Sequence, residues 1–162
     1  MLDFHKSIEE GKVGENIFEE DFLNHLNIKY KNVTESLTYQ IIDSDYLTLI
    51  GTYEIKTNYK DDKFLIIEEY TNINEELGDV RLGWVYKTKA DMLVSISKKT
   101  RLMIFLPLTK AFFEYYEANK NDYELTKNKV SSNSKNNTTW QSAYRRLPLS
   151  FFKGYISCYK KL

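Results

Sequence analysis

Apolar side chains recur at helical intervals near the start of the chain, with Phe18, Phe22 and Leu26 at i, i+4 and i+8. That spacing predicts a helix over residues 5–26. Gly11 and Gly14 fall inside it, so the segment reads equally as two shorter helices. Short apolar stretches at 28–33 and 39–42 predict strands. Residues 45–56 read as a tight hairpin turning near Gly51, which can take the positive φ such turns need. A strand is predicted at 64–70 and a polar loop at 72–82. Strands at 90–97 and 102–106 are joined by the basic turn Ser97-Lys98-Lys99-Thr100. A helix over 108–119 follows Pro107, residues 120–139 form a polar, mobile loop, and 147–159 is apolar enough to dock as a last strand.

This order predicts a mixed α/β fold with one central mixed sheet flanked by helices. At 162 residues the chain suits a single domain. Its core spans about residues 5–119, with the basic loop 120–139 and the segment 140–162 packed on it. A composition 42% hydrophobic and 15% aromatic excludes disorder throughout. No apolar run approaches the roughly 18 residues that a membrane span needs. The first residues lack both a basic and an apolar leader region, so no signal peptide is expected. One cysteine, Cys158, excludes an intramolecular disulfide framework, and two histidines are too few for a structural zinc site. The expected location is cytoplasmic, with no membrane partner.

The zero net charge conceals a split. Residues 1–86 carry 8 basic and 18 acidic side chains, and residues 87–162 carry 15 basic and 5 acidic ones. Beyond Glu124 stand eight Lys or Arg and no acid. This asymmetry suggests a basic surface for a polyanion and an acidic region for cations. Arg145 and Arg146, with Trp140, Tyr144 and the Lys-rich stretch before them, are the candidate grip for such a polyanion, combining backbone neutralisation with stacking, or else a basic surface over a buried Trp140.

Candidate chemistry lies in Thr52-Tyr53-Glu54-Ile55-Lys56. Alternation sends Tyr53 and Ile55 to one face of a strand and Glu54 with Lys56 to the other. Asp45, across the hairpin and far from its turn, is placed to approach Glu54. Two converging carboxylates repel unless a divalent cation joins them. Mg²⁺, with Mn²⁺ as a substitute, takes oxygen ligands and stabilises charge on a phosphodiester. Lys56 is then placed to orient water or neutralise developing charge. Taken alone, Asp-x8-Glu-x-Lys recurs by chance in Lys-rich chains as a surface ion pair.

The surrounding order gives the motif its context. Tyr39-Gln40-Ile41-Ile42-Asp43-Ser44-Asp45-Tyr46 is followed by Tyr53-Glu54-Ile55-Lys56-Thr57-Asn58. Then come Phe64-Leu65-Ile66-Ile67-Glu68-Glu69-Tyr70 and Gly83-Trp84-Val85-Tyr86-Lys87-Thr88-Lys89-Ala90-Asp91. Over residues 11–97 this resembles the PD-(D/E)xK nuclease superfamily, whose restriction-endonuclease-like core is αβββαβ, and within it small phage and prophage nucleases. Ser44 stands where the family often has Pro, and Asn58 where relatives often have Asp. The resemblance implies metal-dependent hydrolysis of DNA, possible homodimerisation, and Asp45 rather than Asp43 as the acidic ligand. It implies Glu15, in the Gly14-Glu15 helix, as a further metal ligand and Glu68, over Glu69, as an added catalytic acid or base. Lys87 and Lys89 would touch phosphates. Trp84 would stack on a base or anchor the core, and Asp91 would position Lys89 or close a turn. The alternative is a non-catalytic DNA-binding or regulatory protein on the same fold.

Overall fold

A computed structural model describes residues 2–41, 43–58, 63–74, 78–131 and 139–161, excepting the side chains of 2–8, 129–131 and 139–140. A two-residue strand β1 (Leu2–Asp3) leads into α1 (Phe4–Phe18), which is continued by one π-helical turn at Glu19–Leu23. Next come β2 (Tyr30–Asn32), α2 (Leu37–Gln40), β3 (Tyr46–Thr48), β4 (Gly51–Asn58), β5 (Phe64–Asn74) and β6 (Asp79–Leu82). The remaining elements are α3 (Trp84–Lys87), β7 (Met92–Ser97), β8 (Met103–Pro107), α4 (Lys110–Asn119), β9 (Leu125–Ser131), β10 (Thr139–Pro148) and β11 (Ser157–Tyr159).

The fold is mixed α/β, but its strands form two sheets rather than one. The six-stranded sheet runs β11-β8-β7-β4-β3-β2, with β4 and β7 parallel and its other pairs antiparallel. The five-stranded sheet runs β1-β9-β10-β5-β6. Strand β5, expected in the one central sheet, lies outside the sheet that carries β4 and pairs with β10 and β6.

Alternation along β4, β7 and β8 gives the six-stranded sheet two apolar faces. Tyr53, Ile55, Val94, Ile96, Met103 and Phe105 pack with Ile17, Phe18 and Leu23 of the first helix. Leu93, Ile104 and Leu106 face the other way, into a core with Leu65, Ile67, Trp84, Phe112 and Phe152. Thr109 caps α4 by accepting the Phe112 N–H at 3.2 Å, turning Phe112 and Tyr116 inward.

Several expectations need correction. The first helix is unbroken through Gly11 and Gly14. A Cβ on Gly14 would lie 2.1 Å from Thr57 Oγ1, so its glycine serves close contact with β4 rather than a helix break. Residues 37–40 are helical, not extended, because the Ser36 carbonyl accepts the N–H groups of Tyr39 and Gln40. Leu37 and Ile41 there are exposed, leaving no core for strand alternation to serve, and Ile42 lies outside the described residues. The polar stretch 72–82 contributes the end of β5 and all of β6, which pair from Tyr70↔Leu82 to Asn74↔Asp79. Much of the expected loop 120–139 is β9, paired along β10. Residues 132–138 lie outside the described residues. The terminal segment ends β10 at Pro148, buries Phe151 and Phe152 in a 3-10 turn, and then adds β11 beside β8.

Candidate active site

Strand β4 pairs with β7 from Tyr53 to Asn58, but with β3 only from Gly51 to Tyr53. Its second half thus has an open edge. The Thr52 and Asn58 carbonyls accept N–H groups from the β7 side, so alternation turns the backbone of Ile55 and Thr57 toward that open edge. There Asp45 Oδ2 accepts the Ile55 N–H at 2.7 Å, while the Asp45 N–H binds the Tyr53 carbonyl at 2.8 Å. The carboxylate substitutes for the strand carbonyl that the short β3 does not supply.

A cleft of about 400 Å³ opens at this edge, lined by Glu10, Gly11, Glu15, Asp45, Glu54, Ile55, Lys56 and Thr57. Glu54 is 3% exposed. Lys56 Nζ lies 2.5 Å from Glu54 Oε1, with the lysine side chain 39% exposed. The structure therefore brings Asp45, Glu54 and Lys56 together, with Glu15 on the facing helix. Close packing of Gly14 on Thr57 sets that helix against the strand.

The electrostatics are those of crowded acids. Burial pushes the Glu54 carboxyl up to about 7, against the opposing pull of Lys56 and with Asp45 adding repulsion. Asp45 is raised by burial, partly offset by the Ile55 N–H and Lys56. Glu15 is raised by burial, with Lys12 opposing and Glu19 and Glu54 reinforcing. Burial works against the Lys56 ammonium, but Glu54, Asp45 and Glu68 outweigh it and hold the group above its ordinary value. The two shifts agree that the proton stays on the lysine while the acids are short of positive charge.

Of the adjacent acids on β5, Glu68 lies within the electrostatic reach of Lys56 and Glu54 without lining the cleft. Burial raises its carboxyl, opposed first by Lys56 and then by Lys87. Glu69 points the other way, 3% exposed, and accepts from Tyr116 Oη and Arg145 Nε, each at 2.7 Å. Gly83 is wedged against β5: a Cβ there would stand 2.2 Å from the Glu68 carbonyl oxygen. That contact seats α3, whose Lys87 Nζ pairs with Asp43 Oδ1 at 3.2 Å. Asp43 adopts a left-handed φ of 45°, and its Oδ2 is buried with no hydrogen-bond partner among the described residues. Asp43 is thus the counter-ion of Lys87, and Asp45 is the acid at the cleft.

Other expected contacts sort differently. Arg145 cannot meet a polyanion: it is 8% exposed, and besides Glu69 it binds the Tyr123 carbonyl and Asn121 Oδ1. Arg146 is exposed, with its guanidinium 4.0 Å from the Phe64 ring centroid. Lys89 is exposed. Trp84 is 2% exposed, a core anchor rather than a stacking platform. Asp91 neither caps a turn nor pairs with Lys89 among the described residues: it joins the starts of β4 and β7, accepting the Thr52 N–H at 2.8 Å and its hydroxyl at 2.9 Å. Trp140 belongs to β10 by its backbone, and its side chain lies outside the described residues.

The acids 19–21 are largely engaged by the fold. Glu19 accepts from Tyr46 Oη at 2.9 Å and Asn32 Nδ2 at 2.9 Å. Asp21 is 6% exposed and paired with Arg101, which also reaches the exposed Glu20 at 3.2 Å.

Among the described residues, no three His, Cys, Asp or Glu side chains are gathered tightly enough to enclose a metal ion. The donor set still fits a hard cation that keeps most of its water. Two carboxylates meet at one cleft, and their raised affinity for protons marks a place where added positive charge is favourable. No helix among the described residues is long and apolar enough to cross a membrane. Comparison with protein-family models, curated proteins and solved structures finds no match to this chain.

Proposed function

We propose that this chain is a divalent-metal-dependent nuclease of the PD-(D/E)xK kind, hydrolysing DNA phosphodiester bonds at the open edge of β4. The observation that carries the reading is the meeting of Asp45, Glu54 and Lys56 in one cleft, from the positions where the resemblance requires them.

Asp45 and Glu54 would hold Mg²⁺ or Mn²⁺, with Glu15 as an auxiliary ligand from α1. The bound cation supplies positive charge to the phosphodiester. Lys56 reaches the cleft as a fixed ammonium, kept protonated by three acids, and stabilises negative charge developing on phosphate oxygens. Its contact with Glu54 sets the direction of that ammonium. Glu68, which feels the Lys56 ammonium, would steer the attacking water or accept a proton from it. Lys89, and Lys87 once drawn from its pairing with Asp43, would add positive charge along the approach of the DNA backbone.

The experiment is incubation with plasmid and with single-stranded DNA under Mg²⁺, Mn²⁺ and EDTA, alongside Lys56→Ala. Cleavage that needs both the metal and Lys56 is expected. Salt-sensitive DNA binding with no cleavage of either substrate would replace the enzyme with a non-catalytic DNA-binding protein on this scaffold.

A further inference from the structure

Alternation divides β5 and β10 between two environments. Leu65, Ile67 and Glu69 are buried, as are Ala143, Arg145 and Leu147. The cross-strand register places Phe64 opposite Pro148, Ile66 opposite Arg146 and Glu68 opposite Tyr144. Directly opposed residues share a face, so these six lie together on the other side of the sheet. That side meets solvent: Ile66 is 45% exposed, Arg146 is exposed, and Phe64, Glu68 and Tyr144 are half-buried.

This face adjoins the cleft. Glu68 on this face lies within the electrostatic reach of Lys56 and Lys87, although it does not line the cleft itself. The Asn58 amide, at the end of β4, donates to the Phe64 carbonyl at 3.1 Å and ties the two sheets together beside the site. The chemistry of the strip is specific. A tyrosine ring, an isoleucine side chain and a guanidinium laid over a phenylalanine ring are flat or apolar surfaces. Phosphate oxygens gain nothing from an exposed isoleucine, whereas the faces of nucleobases do, and a duplex hides those faces in its own stack. Strands β9 and β10 also come from the stretch beyond Glu124, which holds eight Lys or Arg and no acid.

We propose that the strip formed by Ile66, Tyr144 and Arg146 over Phe64 stacks unpaired bases and leads a single DNA strand to the Lys56 cleft. The inference deepens the nuclease reading and rests on it for the second step. Single-stranded segments are then the substrate class, and sequence preference is weak because every base has a face to stack.

The test is fluorescence anisotropy with labelled oligo-dT and with a blunt duplex of equal length, in EDTA so that hydrolysis is blocked. The single strand is expected to bind more tightly. Tyr144→Ala and Arg146→Ala should each weaken its binding roughly tenfold. Tyr144→Phe should keep it by keeping the ring, and Lys110→Ala on α4 should change nothing. Duplex binding equal to or tighter than the single strand, or indifference to Tyr144→Ala, overturns the proposal. Binding and cleavage separate the two readings. Lys56-dependent cutting without strip-dependent binding removes the strip and keeps the nuclease, and the reverse result does the opposite.

Discussion

Asp45 Oδ2 and the backbone N–H of Ile55 stand 2.7 Å apart, and this bond serves the strand and the cleft together. It closes a ladder position that the three-residue β3 leaves open, and it fixes the carboxylate beside Glu54. Asp45→Asn keeps an acceptor for Ile55 and removes the charge. Thermal melts should show a change in Tm of at most a few degrees without metal, and no Mg²⁺-induced rise where the native protein is expected to show one. Asp45→Ala removes both and should cost about 1–3 kcal/mol in addition.

Lys56→Ala should lower cleavage by at least about 100-fold in single-turnover assays, the scale expected for losing a charge that acts on the transition state. DNA affinity in EDTA should fall much less. Equal losses in both measurements would make Lys56 a binding group.

The acids of the cleft also set a pH dependence. Glu15, Asp45, Glu54 and Glu68 all hold protons more tightly in the folded chain than their ordinary values allow, Glu54 up to about 7. Between about pH 4 and pH 7 the folded state therefore binds more protons than the unfolded one, and this contribution to stability falls as pH rises. Lys56 is charged in both states over that range and leaves the sign unchanged. Melts in EDTA should show Tm declining from pH 5 to pH 8, with the decline reduced in Glu54→Gln. Mg²⁺ should raise Tm more at pH 8 than at pH 5.

Arg145→Ala should destabilise the fold by about 3–5 kcal/mol, because it removes the closest cation from buried Glu69, leaving that carboxylate Tyr116 and, at 4.0 Å, Lys120. Urea denaturation measures this directly. Any loss of DNA binding in that variant should track its unfolded fraction, unlike the loss in Arg146→Ala.

Gly14→Ala and Gly83→Ala should both destabilise, by about 1–3 kcal/mol or more, but respond differently to relief. The Gly14 clash is with the Thr57 side chain, so Thr57→Ala should recover part of the loss. The Gly83 clash is with the main chain at Glu68 and Glu69, and truncating side chains should recover nothing. Double-mutant cycles in denaturant give both answers.

The hairpin and its charges were legible in the sequence because a period of two assigns Glu54 and Lys56 to one face, and Gly51, with φ of 146°, marks the turn. The role of Arg145 was misread although a signal existed. It stands two residues from both Ala143 and Leu147, on the buried side of their strand, just as Glu69 follows Leu65 and Ile67. Two opposite charges on inward faces of neighbouring strands are a pair waiting for register, and only the pairing of β5 with β10 supplies it. Asp21 was hidden for another reason. The π-helical turn inserts a residue into the repeat after Phe18 and rotates Asp21 toward Arg101, a change that 3.6-residue periodicity does not anticipate. The division into two sheets was equally invisible, since β5 has strand character whichever neighbour it takes.

The brevity of β3 has a consequence for how the molecule behaves among its own copies. A strand with an unpaired edge is a template on which another chain can add, and proteins commonly guard such edges with charge. Here the guard is the same set of acids: Asp45 occupies the Ile55 N–H, and Glu10 and Glu15 crowd the approach. Groups that would serve chemistry thus also keep the protein from assembling edge to edge. Variants that strip them, Asp45→Ala above all, are expected to associate more readily than the native chain, visible as a steeper concentration dependence of light scattering.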